Sequence, residues 1–252
     1  MKDLLNEVNE KITEDEISNV DKVTPELVQK IIKQKLKNDK VDPELDLTTN
    51  ALKNSPNELM EHLANLLKFC LVHGYISSLL LICAISPIVK DANGKIDDSG
   101  NYRGIGIGSL ILKIVDNIIL IINDEELTLD RNQFGFQEGS STSMCTWTVI
   151  ELVNQFKLAG TPVFSCLLDY RKAFDFCNHE KMFRILLKRK VCLIFVRLMI
   201  IIYLNQTCYV KWKGTRSYSF SVRNGSVFSP RGGFGCYLDP LFQDLWESGL
   251  GC

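Results

Sequence analysis

The segment Val163–His179 reads VFSCLLDYRKAFDFCNH, an apolar run that stops on a carboxylate, Asp169, with Asp175 one loop later. An apolar run interrupted only by Ser165 predicts a buried strand ending at Asp169. Such a strand needs neighbours along its edges and helices over its faces, so it excludes an all-helical bundle and calls for a layered α+β domain. Asp169 has two readings at this point. It caps the next turn or lies in solvent at the sheet end, or it is a hard-oxygen ligand for Mg²⁺, which typically takes one or two protein carboxylates together with substrate phosphates.

The rest of the chain carries the helices that such a sheet requires. Residues 1–40 have sparse apolar positions (Leu4, Leu5, Val8, Ile12, then Leu27, Ile31, Ile32, Leu36) at the spacing of thin amphipathic helices. Pro43, Pro56 and cap-type residues mark a loop before a helix over about 57–72. LLLICAISPIVK reads as a strand ending at Lys90, DANGKIDDSGN as a hairpin loop, and SLILKIVDNIILIIN as a helix. GSSTSMCTWTVIELVNQFKLAG reads as a helix capped by serines and stopped by Gly160. After the Asp169 strand come helices over 179–190 and 191–204, a strand pair in TCYVKWKG and YSFSV, and a final helix from about Phe234. Asp175 is read as the N-cap of the helix through His179.

Charge is uneven although the net charge is only −1. From Lys181 to Leu238 there is no Asp or Glu, but there are Lys181, Arg184, Lys188, Lys190, Lys211, Lys213, Arg216 and Arg223. Such a stretch is either a wall for a polyanion or a face whose counter-charges come from elsewhere in the fold. The nine cysteines are scattered singly, without a C-x-x-C pair or a histidine placed to complete a zinc site. Together with the charged start MKDLLNEVNEK, they point to a reducing intracellular compartment, nucleus or cytoplasm. The longest apolar runs, ISSLLLICAISPIV and VCLIFVRLMIIIYL, fall short of the ~20 residues of a membrane span, and the second contains Arg197, so no membrane partner is expected.

DYRKAFDFCNH, Asp169–His179, resembles motif A of the reverse transcriptases of non-LTR, LINE-type retrotransposons, typically D-x-x-K-A-F-D-x-V-N-H. Further landmarks follow in the same order. PIVKDANGKIDDSGNYRGI resembles the fingers segment around N-Y-R-P-I, QFGFQEGSST resembles Q-F-G-F-R-x-G-x-S-T, and VRNGSVFSP resembles motif B, V-R-Q-G-x-x-x-S-P. FGCYLDPLFQDLWESGLGC resembles the helix and turn after motif B.

The resemblance implies the fingers and partial palm of a right-hand polymerase. Residues 1–40 would form a helical extension, 41–160 a fingers-like region and 161–252 a partial palm. The partners implied are an RNA template, a DNA primer and deoxynucleoside triphosphates, with Mg²⁺ as cofactor. Asp169 would be the catalytic metal ligand, and Phe174 the ring that crowds a ribose 2′-hydroxyl unless it is simply a core residue. Lys90 and Arg103 would hold the incoming triphosphate, as cations suit phosphate, although a lone lysine after a strand is ordinarily solvated. Asn224 and Gly225 would line the nucleotide pocket, and Lys211, Lys213 and Arg216 would contact the nucleic-acid backbone.

Several positions depart from the family pattern. Gly104 follows Arg103 where proline is usual, Gln137 replaces arginine, and Asn224 replaces the motif B glutamine, shortening its reach by one methylene. SPRGGFGCYLD carries a Gly pair in place of a bulky apolar residue, which weakens the helix that follows. Asp97-Asp98 lies before motif A, and no aromatic-Ala-Asp-Asp hairpin of the motif C type follows motif B within these residues. The expectation is a truncated, inactive reverse transcriptase domain with weak metal binding, an open strand edge and poor solubility. A non-catalytic nucleic-acid-binding protein that retains the basic groove is the alternative. An aspartyl-phosphate phosphatase is excluded by spacing, because Arg171 stands where D-x-D needs its second acid.

Overall fold

The computed structural model describes residues 1–167, 169, 176–222, 233 and 235–247. The chain divides into two compact units, one made of Met1–Glu126 with Leu186–Arg223, the other of Leu127–Ile185 with Asn224–Cys252. Its described architecture is mixed helix and strand.

The first unit begins with helices α1 (Lys2–Lys11), α2 (Glu14–Ser18) and α3 (Pro25–Gln34). Their apolar positions are core rather than surface: Leu4 and Val8 of α1 are buried, as are Val28, Ile31 and Ile32 of α3. Thr24 opens α3 by accepting a hydrogen bond from the Leu27 N–H at 3.2 Å, with Pro25 at the first helical position, where its missing N–H costs nothing. After a short helix α4 (Thr49–Lys53), helix α5 (Asn57–His73) follows the sequence expectation closely. It ends because Gly74 adopts φ +59° and donates its N–H to the Cys70 carbonyl.

Helix α6 (Leu110–Ile122) buries Leu110, Ile111, Leu112, Ile114, Val115, Ile118 and Ile119. Each large apolar side chain buried in this way contributes roughly 1.5–3 kcal/mol relative to exposure. Ser109 caps the helix, accepting from the Ile111 N–H at 3.2 Å. Asp42, 3% exposed, reinforces that start from 68 residues away: its Oδ2 accepts from the Leu110 N–H at 2.8 Å while Oδ1 accepts from Glu44 and Leu45. A carboxylate at a helix N-terminus also interacts favourably with the helix dipole.

The sheet joins strands far apart in sequence: β1 (Ile82–Val89), β2 (Tyr102–Ile107), β3 (Thr207–Trp212), β4 (Thr215–Arg216) and β5 (Phe220–Ser221). Its order is β2-β1-β3-β4, with β5 also paired to β3. The hairpin β1–β2 is antiparallel, with Ile88 opposite Arg103 and Val89 opposite Tyr102. Strand β3 runs parallel to β1, Cys83 opposite Cys208 and Ala84 opposite Tyr209. Helix α9 (Leu193–Asn205), buried over most of its surface, leads directly into β3 and packs against α1 and α5. Between β3 and β4, Lys213 (φ +47°) and Gly214 (φ +84°) form the two-residue turn with both φ values positive that suits a tight hairpin.

The second unit contains α7 (Thr142–Leu158), α8 (His179–Lys188, as far as Ile185) and α10 (Cys236–Glu247). Helix α7 is capped by Ser141, whose hydroxyl accepts from the Met144 N–H at 3.2 Å, and it ends beside Gly160 at φ +71°. Asp239 of α10, 2% exposed, accepts from the Asp130 N–H at 3.0 Å, and the Lys181 ammonium lies 5.7 Å from the Tyr237 ring.

Two expectations are corrected here. Residues 161–167 form no strand: Phe164 and Leu167 are 92% and 95% exposed, without the paired edges that a strand needs to satisfy its backbone. The N-cap of α8 is Asn178, not Asp175. The helix begins at His179, and the Asn178 Oδ1 accepts from the Lys181 N–H at 2.9 Å, the three-residue spacing of a cap.

Candidate nucleic-acid interface

Asp169 is exposed, and so is the apolar run before it. Phe174, Asp175, Asn224 and Gly225 lie outside the described residues. Among the described residues no group of three or more His, Cys, Asp or Glu could hold a metal ion. Asp169 therefore belongs to no assembled metal-binding set among the described residues. Among the described residues, too, no helix is long and apolar enough to cross a membrane.

The segment NYRG, by contrast, has a defined geometry. Asn101 builds the hairpin loop: its Oδ1 accepts from the Asp91 N–H at 3.0 Å, and its Nδ2 donates to the carbonyls of Asp91 at 3.0 Å and Lys95 at 3.3 Å. A Cβ at Gly94 would stand 2.5 Å from that Nδ2, so the glycine leaves the space that Asn101 fills. The Tyr102 hydroxyl donates to the Ile96 carbonyl at 2.7 Å and fixes the ring. Lys90 closes the same loop, its Nζ donating to the Gly100 carbonyl at 2.8 Å. Arg103 is exposed on β2 and forms no ion pair among the described residues.

Strand alternation sorts the other cations. Arg103 lies beside Ile88, which shares a sheet face with Ala84; Ala84 lies beside Tyr209, which shares that face with Lys211; Lys211 lies beside Arg216. Arg103, Lys211 and Arg216 thus occupy one face of the first unit's sheet, with Lys213 at the turn. They are not equivalent. The Arg216 guanidinium lies 3.7 Å from the Tyr209 ring centre and donates to both carboxylate oxygens of Glu44, at 3.0 and 3.2 Å. Burial, and next the hydrogen bond to Glu44, raises the Tyr209 phenol above its ordinary value. Lys211 and Lys213 are exposed and have no ion-pair partner among the described residues.

The opposite face carries aromatic residues that the sequence reading did not single out. Tyr102 lies beside Val89, on the face of Cys83; Cys83 lies beside Cys208, on the face of Trp212; Cys208 lies beside Phe220. Tyr102 and Trp212 meet edge to face with ring centres 5.4 Å apart, a favoured aromatic geometry. Trp212 and Phe220 remain 41% and 43% exposed. The sequence signal for this arrangement is the triplet KWK at 211–213 combined with strand parity.

A model of the family described as reverse transcriptase (RNA-dependent DNA polymerase) matches residues 89–248. That range runs from the last residue of β1 through Asp169 and helix α10, so the chain belongs to the reverse transcriptase (RNA-dependent DNA polymerase) family.

Proposed function

We propose that this chain is the fingers and partial palm of a LINE-type retrotransposon reverse transcriptase, which engages an RNA template and DNA primer, and that residues 1–252 alone do not polymerise. The observation that carries the reading is the preorganised NYRG hairpin with Arg103 exposed and unpaired among the described residues, inside the range matched by the family. Arg103 is free to offset triphosphate charge. Lys90, tied to Gly100, shapes the hairpin that presents Arg103. Lys211 and Lys213 contact the nucleic-acid backbone, and Arg216, braced by Glu44 and Tyr209, holds β4 where those lysines are displayed.

Asp169 is the metal-binding acid of motif A, Phe174 the discriminator against a 2′-hydroxyl, and Asn224 with Gly225 the motif B side of the pocket. The Mg²⁺ of this family neutralises charge on the attacking and leaving oxygens when bound. One motif A carboxylate offsets too little of that charge without further acids. The test is primer extension on an RNA template with two proteins: residues 1–252, and the same chain carrying whatever reading frame continues past the codon for Cys252. No extension by the first, together with extension by the second that Asp169→Asn abolishes, supports the proposal. Extension by residues 1–252 alone contradicts the incomplete-palm reading, and extension that survives Asp169→Asn contradicts the role of Asp169.

A further inference from the structure

We infer that the aromatic face of the first unit's sheet, around Trp212, is a stacking platform for single-stranded RNA. The inference rests on the nucleic-acid reading above and adds a site to it. Three aromatic residues from three strands, Tyr102 of β2, Trp212 of β3 and Phe220 of β5, share one sheet face by register. Two of them, Trp212 and Phe220, are more than two-fifths exposed. Tyr102 is not free to fold away: its hydroxyl donates to the Ile96 carbonyl, and its ring meets that of Trp212 in a T-shaped contact. The Trp212 indole is therefore presented rather than merely left over.

Charge identifies what covers it. Trp212 is flanked in sequence by Lys211 and Lys213, both exposed and without ion pairs among the described residues, and Lys213 sits at the tip of the turn between the two sheet faces. An apolar protein partner would have no use for bare lysines around its anchor. A single strand satisfies both features, its bases stacking on Trp212 while its phosphates pass Lys213 at the turn. A base-paired duplex hides its base faces and cannot stack there. RNA is the single strand expected, since the family copies an RNA template.

The experiment uses the full chain and a short fluorescent oligouridine, with an RNA–DNA primer–template duplex measured in parallel. Trp212→Leu should weaken oligouridine binding roughly tenfold, whereas Trp212→Phe, which keeps an aromatic face, should weaken it less than about threefold. Thermal melts of both variants check folding, and quenching of tryptophan emission by oligouridine should be lost in Trp212→Phe. Unchanged oligouridine affinity in a folded Trp212→Leu variant, with duplex binding intact, would overturn the platform and leave the proposed function standing. Failure of the wild-type chain to bind either nucleic acid would overturn both. Tighter binding of the matching oligodeoxynucleotide would overturn the assignment to RNA.

Discussion

The Glu16 carboxylate of α2 caps the helix that begins at Leu193: its Oε2 accepts from the Leu193 N–H at 2.8 Å. The same oxygen accepts from the Cys192 thiol at 2.8 Å, and the Cys192 N–H donates to the Asn123 Oδ1 at 3.0 Å. Helix α9 has no cap from its own N-cap side chain, so a residue from the opposite end of the sequence supplies one. Because α9 leads into β3, this cap ties the N-terminal helices to the sheet that displays Lys211 and Trp212.

Glu16→Ala should therefore destabilise the first unit by about 1–2 kcal/mol, the range for loss of a side-chain cap. Urea denaturation followed by circular dichroism measures it. A loss within experimental error would show that Glu16 is dispensable to α9.

Gly74→Ala should cost about 1–2 kcal/mol through its left-handed backbone alone. A Cβ there would also lie 3.2 Å from both the Arg197 Nε and the Ile201 Cδ1. Arg197 donates to the Leu71 carbonyl and, at 2.9 Å, to the Val72 carbonyl, so it closes the C-terminal end of α5. Arg197→Met should lower stability by about 2–3 kcal/mol, as charged hydrogen bonds to the Leu71 and Val72 carbonyls are lost. A combined loss well below the sum of the two would be the sign of their shared contact.

Alkaline pH should destabilise the fold through Cys177, which is buried, and Cys192, which is half-buried. Burial pushes Cys177 up to about 11; burial and then the Glu16 carboxylate push Cys192 up to about 12. An unfolded cysteine ionises near ~8.5. A raised folded value contributes stability that is complete below the unfolded value and lost as pH rises toward the folded one. Urea midpoints should fall between about pH 8.5 and 11, and exposed Cys166 should alkylate well before Cys177 and Cys192. Equal labelling rates at the three positions would contradict the burial described.

Much of the helical framework is legible in the sequence because its punctuation is local. Ser141 and Gly160 start and end α7 where the sequence reading puts them, and α5 and α6 fall on segments read as helices, since caps act within a few residues. Arg197, which argued against a membrane span, turns out to serve the end of α5. The sheet is less legible: the parallel pairing of β1 with β3 joins residues about 125 apart, and no local signal sets that register. The run before Asp169 has the composition of a buried strand but no paired edge here, because composition says what a segment can do and not whether its neighbours are in place. Arg216 and Lys211 look alike as isolated cations. Only the fold reveals that Glu44, 172 residues away, engages the first of them.

Arg216→Ala and the double variant Lys211→Ala with Lys213→Ala should consequently differ. The first should lower stability more than it lowers binding, since it breaks the Glu44 pair and the packing on Tyr209. The second should leave the thermal melt unchanged within about 0.5 kcal/mol and reduce the slope of log affinity against log salt by about 1–2. An unchanged slope would remove both lysines from the interface.

That this fold grips nucleic acid is tested most directly by the affinity of the 252-residue chain for an RNA–DNA primer–template across a salt series. The prediction is binding at low salt that weakens steeply and linearly on a log–log scale as counterions compete for the phosphates. Absent binding, or an affinity flat across the series, would contradict it.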